Sequence, residues 1–162
     1  MSKLCSTQPW FRAIFGGEKM KIVKTFTFDS SHLLDGHDGK CQNLHGHTYK
    51  LEVEIKGELI SDGPKAGMVM DFGDLKAVVK THILDKMDHA FLYNCHNERE
   101  SAIAALLEGW QLKTYPIEQR TTAEVMSRHI FNILVQYQIP VSRVRLWETP
   151  SSYSEYDEYD AS

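Results

Sequence analysis

His45–Gly57 reads HGHTYKLEVEIKG, and its alternation decides the fold. His45, His47, Tyr49, Leu51, Val53 and Ile55 share one parity, while Thr48, Lys50, Glu52, Glu54 and Lys56 take the other. In an extended chain successive side chains point to opposite faces, so this is a strand with one apolar face that carries two histidines at one end. Upstream, Lys21–His32 (KIVKTFTFDSSH) alternates in the same way, with Ile22, Phe26, Phe28 and His32 in step. The intervening LLDGHDGKCQN holds two glycines and several turn formers, so the two strands read as a hairpin.

Further along, ISDGPKAG is a turn, MVMDF is a short extended piece, and GDLKAVVKTHILDKMD repeats Leu75, Val79, His82, Ile83 and Met87 at helical spacing. Asp74 stands near its start, where a carboxylate helps the unpaired amides. The stretch 94–119 holds SAIAALLEG, a short helix closed by Gly109, and an extended TYPIEQ. TTAEVMSRHIFNILVQYQIP opens on Thr121-x-x-Glu124, a capping-box pattern, repeats Val125, His129, Ile133 and Val135 or Gln136, and stops at Pro140. VSRVRLWETP alternates Val144, Leu146 and Glu148, and YSEYDEY alternates tyrosine with acids. The order ββααββ predicts an α+β domain with two helices on one face of an antiparallel sheet.

Composition narrows the class. A chain of 162 residues with 42% hydrophobic content accommodates one domain with an apolar core. The formal charge is −4, and the four carboxylates of the C-terminal EYDEYD account for it, so the body is near neutral and nucleic acid is not an expected partner. No apolar run is long enough for a membrane span or a signal core, and Cys5, Cys41 and Cys95 follow no framework spacing, which predicts free thiols in a cytoplasmic protein. Residues 1–19 read as an extension before a single domain over 20–162.

Side chains two apart on a strand stand roughly 7 Å apart at Cα, close enough for His45 and His47 to converge on one ion. His32, at the end of the neighbouring strand, would join them, with His37 of the loop as its rival. Three imidazoles with an open position suit a catalytic Zn²⁺ rather than a structural one. Cys41 lies beside this site as a base, a fourth ligand or simply a loop thiol. In KMDHAFLYN, Asp88 can orient His89 if a turn brings them together; otherwise His89 only compensates a helix dipole. Glu148, on an apolar parity, is either held for a ligand or exposed at a strand end.

The ordered set FDSSH, KCQNLHGHTY, GMVMDFGDLK, MDHAFLYN, TTAE and WET, spanning about Met20 to Tyr156, resembles the 6-pyruvoyltetrahydropterin synthase family. The three residues between Cys41 and His45 resemble its bacterial branch, which forms 6-carboxy-5,6,7,8-tetrahydropterin in the queuosine pathway. The resemblance implies His32, His45 and His47 as zinc ligands, Cys41 as catalytic base and Asp88 with His89 as a second proton-transfer pair. It further implies Glu148 as the pterin anchor and Thr122 as a pterin contact. It also implies the tunnelling fold, a four-stranded antiparallel sheet with two helices on one face, assembled through trimeric barrels into homohexamers with intersubunit active sites. The implied substrate is a pterin triphosphate, converted without nicotinamide or flavin. A strand is required near Tyr153 to Asp157, where the acidic sequence alone reads as a disordered tail.

Overall fold

The computed structural model describes residues 17–161; most of the expected 1–19 extension lies outside the described residues. The long hairpin is present as β1 (Lys19–His32) and β2 (His45–Glu58), paired antiparallel from Lys19↔Glu58 to His32↔His45. Its buried parity is the expected one: Phe26, Phe28 and His32 on β1, and Tyr49, Leu51, Val53 and Ile55 on β2. β5 (Val141–Thr149) pairs antiparallel with β2, and β6 (Ser152–Asp157) pairs antiparallel with β5. The acidic C-terminal stretch is therefore sheet up to Asp157. Its Glu155 meets Arg145 and Arg143 on the polar face of the sheet, where Glu52 and Glu54 meet the same two arginines.

Between the hairpins the expected order is corrected. Among the described residues the sheet has six strands, not four, in the order β4-β3-β1-β2-β5-β6, and it is mixed rather than wholly antiparallel. β3 (Phe91–Asn94) runs parallel to β1 at Ser31↔Phe91, and β4 (Thr114–Ile117) runs parallel to β3. Each has four residues, too few to display a period of two.

Helices number more than two as well. α1 (Phe72–Val79) continues through a π turn (Lys80–Leu84) into α2 (Asp85–Met87). Leu75, Val79, Ile83 and Met87, all fully buried, recur every four residues, which drifts about 40° per step on an α-helix. The wider π turn absorbs part of that drift and keeps the row on the core. The N-cap of α1 is Asp71, which accepts from Gly73 and Asp74, rather than Asp74, whose carboxylate pairs with Lys65. α3 (Glu98–Gly109), capped by Asn97, lies between β3 and β4, and α4 (Ala123–Gln136) precedes β5.

The cap of α4 is Thr122, whose Oγ1 accepts from Val125, so the Thr121 capping box is corrected by one residue. Its core face is likewise Met126, Ile130, Phe131 and Leu134, not the Val125–His129–Ile133 row. Apolar residues occupy both rows, and the sheet takes the one that faces it. These side chains and the Leu75–Met87 row close over the apolar face of β1, β2 and β5 as one core. A smaller cluster of Leu33, Phe91 and Ala104 lies under α3.

Candidate metal and proton-transfer site

The hairpin register sets His32 opposite His45 and Ser30 opposite His47, so strand pairing brings three imidazoles to one end of the sheet. Between the two histidines of β2 only glycine fits comfortably: a Cβ on Gly46 would lie 3.0 Å from the Ser30 carbonyl oxygen, a backbone atom that cannot swing aside. The potential ligand nitrogens of His32, His45 and His47 lie within 4.8 Å of one another.

Backbone carbonyls fix the tautomers. His32 Nδ1 lies 2.8 Å from the Thr121 carbonyl oxygen and His45 Nδ1 2.7 Å from that of Asn43. A carbonyl only accepts, so both Nδ1 atoms carry the proton and both Nε2 atoms present lone pairs. Those two Nε2 atoms are 3.2 Å apart, and His47 Nε2 is buried with no hydrogen-bond partner among the described residues. Lone pairs facing at this distance repel unless a cation lies between them. Tetrahedral zinc with Zn–N bonds of 2.0–2.1 Å separates its nitrogens by about 3.3 Å, so the donor set fits such an ion.

Burial holds the His32 imidazole at a pKa of about 4, with the neighbouring His45 and His47 adding to the effect and the Thr121 carbonyl opposing it. Burial also lowers that of His47, against the pull of Glu148. A neutral ring is the form that binds metal. For the metal-stripped protein the sign follows from linkage: His32 titrates near 6.5 when unfolded and near 4 when folded, so its contribution is complete above pH 6.5 and is lost as pH falls toward 4. The loss is on the order of 3 kcal/mol. Urea midpoints of the stripped protein at pH 7.5 and 4.5 are expected to differ more than those of a His32→Phe variant; equal differences would refute the assignment.

His37 does not join the cluster, since its Nδ1 accepts from the Gly39 amide at 2.7 Å. Cys41 lies in the short 3₁₀ turn Lys40–Gln42, half-buried and free, and its sulfur is not among the grouped ligand atoms. Glu148 does reach the site: one carboxylate oxygen is 3.6 Å from His47 Nε2 and 3.7 Å from His32 Nε2. It lies with His47 and Trp147 in a cleft of about 670 Å³, within the usual range for small-molecule sites.

Asp88 and His89 do come together. The chain leaves α2 with His89 at φ 58°, a left-handed conformation that costs roughly 1 kcal/mol and folds its ring back so that Nδ1 lies 2.9 Å from Asp88 Oδ1. Partial burial pushes the Asp88 carboxyl up, but the Asp29 amide, His89 and Lys113 together hold it below its ordinary value. Asp29 locks the pair through its backbone, donating to Asp88 Oδ1 at 2.9 Å and accepting from the His89 amide at 2.6 Å. The His89 side chain is exposed, and it shares a cleft with His47, Asp29 and Thr48. The imidazole cluster and the carboxylate–imidazole pair thus border one space.

Two residues at this site were not read from the sequence. Thr121, fully buried, orients His32 through a backbone oxygen, and any residue type supplies that atom. Asp29 acts through its own amide and carbonyl in the same anonymous way.

Comparisons with known proteins identify the family. The 6-pyruvoyl tetrahydropterin synthase family profile matches residues 21–159. A Haemophilus influenzae protein named 6-carboxy-5,6,7,8-tetrahydropterin synthase is 60% identical over 139 residues, covering 85% of this chain and 99% of that protein. Among solved structures, an uncharacterised protein from Wolinella succinogenes superposes with a TM-score of 0.71 at 19% identity, over 87% of this chain and 99% of that one. The Caenorhabditis elegans 6-pyruvoyl tetrahydropterin synthase superposes with a TM-score of 0.61 at 23% identity, over 86% and 96%. With a profile match across nearly the whole described chain and a relative of this identity, the chain belongs to the 6-pyruvoyl tetrahydropterin synthase family.

Proposed function

We propose that the protein is a zinc-dependent lyase of the 6-carboxy-5,6,7,8-tetrahydropterin synthase type. It converts 7,8-dihydroneopterin triphosphate and one water to 6-carboxytetrahydropterin, acetaldehyde and triphosphate, in the cytoplasm and on the route to queuosine. The observation that carries the reading is the convergence of three imidazoles, those of His32 and His45 with lone-pair-bearing Nε2 atoms, beside the cleft that His89 also borders. The name and 60% identity of the Haemophilus influenzae relative support the carboxy branch.

His32, His45 and His47 would hold the ion, which when bound supplies Lewis acidity to side-chain hydroxyls of a substrate. Cys41 removes a proton from the substrate side chain on one face, and His89 moves one on the other, its Nδ1 proton held by Asp88. Glu148 accepts the 2-amino and N3 hydrogens of the pterin. Thr122 Oγ1 already accepts the Val125 amide, which leaves its own O–H to donate to the ring. No helix among the described residues is long and apolar enough to cross a membrane, and neither membrane nor nucleic acid enters this reading.

The expected homohexamer of trimeric barrels is part of the proposal. It is supported by the outer edge of β1, which among the described residues pairs with β3 only at Ser31 and so leaves its long remainder for another copy. β6 offers the opposite free edge.

The deciding experiment incubates the zinc-loaded protein with 7,8-dihydroneopterin triphosphate and follows acetaldehyde together with the pterin product. Stoichiometric acetaldehyde supports the carboxy reaction. Triphosphate release without acetaldehyde moves the assignment to the pyruvoyl reaction, and zinc binding without any turnover leaves a metal-binding assembly module. Glu148→Gln separates anchor from ligand: the anchor role predicts full metal content and a KM raised by about 10²-fold or more through a lost charge-assisted pair. Loss of the metal from that variant would make Glu148 a ligand instead.

A further inference from the structure

The loop that carries Cys41 joins β1 to β2, and beyond the turn at Lys40–Gln42 it has no regular structure to hold it. Its shape rests on a few identifiable bonds. The Leu34 amide donates to the Cys41 carbonyl at 2.8 Å, which ties the two ends of the loop together. The carbonyl oxygens of Leu34 and Asp35, on the far side of that tie, accept from one atom, Arg120 Nη2, at 3.2 and 2.9 Å. The Asp35 carboxylate is held in turn by Asn97 Nδ2 at 3.1 Å and Arg99 Nη1 at 2.7 Å, both from the start of α3.

Arg120 is committed to this place. Its Nε is buried with no hydrogen-bond partner among the described residues, so the guanidinium is turned inward rather than toward water. Nearby, Glu100 is 1% exposed and accepts the Asn94 amide at 2.7 Å. Burial pushes the Glu100 carboxyl up, while the amides of Asn94 and Asp35 and the Arg120 charge oppose the shift. Arg120 also directly precedes Thr121, whose carbonyl oxygen accepts from the His32 Nδ1–H. One short stretch of chain therefore grips both a cluster imidazole and the cysteine loop.

We propose that Arg120 is a positioning residue: by clamping the Leu34 and Asp35 carbonyls it sets where the Cys41 thiol stands relative to the three imidazoles. The part that concerns turnover rests on the reaction proposed above, with Cys41 as its base. A guanidinium nitrogen directs two N–H bonds in a fixed plane, which suits two carbonyls on one loop; a lysine ammonium lacks that geometry.

The test compares the zinc-loaded wild type with Arg120→Gln and Arg120→Lys. Metal content, thermal unfolding, kcat and KM are measured, and iodoacetamide labelling of Cys41 and Cys95 is resolved by peptide mass spectrometry. Arg120→Gln is expected to keep its zinc and its Cys95 labelling rate, to label at Cys41 at least threefold faster, and to lose at least tenfold in kcat with KM within twofold. Arg120→Lys is expected to fall between it and the wild type, and it decides the matter if the glutamine variant does not fold. Wild-type values of both kcat and Cys41 labelling, or a change in one without the other, overturn the proposal. If the wild type turns over no pterin, the reaction reading has failed, and the Cys41 labelling rate alone then decides whether Arg120 holds the loop.

Discussion

Alanine at His47 is expected to remove the metal and the activity together. Its Nε2 is buried and has no hydrogen-bond partner among the described residues, with only the Glu148 carboxylate near it at 3.6 Å, so it is available to something bound. Loss of a group that merely supports a ligand lowers metal affinity by about 10–100-fold, and loss of one of three ligands is expected to exceed that, by roughly 10³-fold or more. Metal per chain after dialysis, measured by plasma mass spectrometry, should fall from near one to near zero. Turnover should fall with it, and added zinc in the micromolar range should not restore it. A His47→Ala protein that keeps one tightly held ion would show that the imidazoles are not the ligand set.

Alanine at Cys41 is expected to do the opposite to the metal and nearly the same to turnover. The thiol stands outside the group of converging nitrogens, so zinc content and unfolding temperature should stay at wild-type values. Loss of a general base typically costs about 10²–10⁴ in rate, and that loss should appear in kcat. His89→Ala should resemble it, because the exposed ring packs little and the Asp88 carboxylate remains tied to the Asp29 amide. Single-turnover kinetics with metal-replete protein make the comparison. Undiminished turnover in either variant would remove that residue from the proton-transfer scheme, and undiminished turnover in both would sink the scheme entirely.

These residues differ in how far the sequence alone reveals them. His32, His45 and His47 could be read because a period of two is a local property: once both strands are seen to alternate, the parity of each histidine is settled, and hairpin pairing does the rest. Glu148 was readable in the same way, on the parity of Val144 and Leu146, although its nearness to the imidazoles depended on β5 pairing with β2. The Asp88–His89 contact was only a conditional reading. It required a left-handed residue after a helix, which histidine adopts at a cost and its neighbours in sequence do not announce.

On its own, the sequence determined the hairpin, its buried face, the histidine pair at its end, and the helices over 72–87 and 123–136 to within a few residues. These are set by repeats of two or about four residues sustained over many turns or pairs, and such repeats survive any environment that offers one apolar side. Only the tertiary structure decided the rest. β3 and β4 are four residues each: the extended character of Thr114–Ile117 is readable in TYPIEQ, but β3 carries no local mark, and the parallel pairing of both is set by the places that β1 and α3 give them. The helix face of α4 was chosen between two apolar rows by the sheet it meets. Thr121, Asp29 and Arg120 enter the site through contacts with residues far away in sequence. Backbone atoms, which every residue carries, are one side of nearly all these contacts.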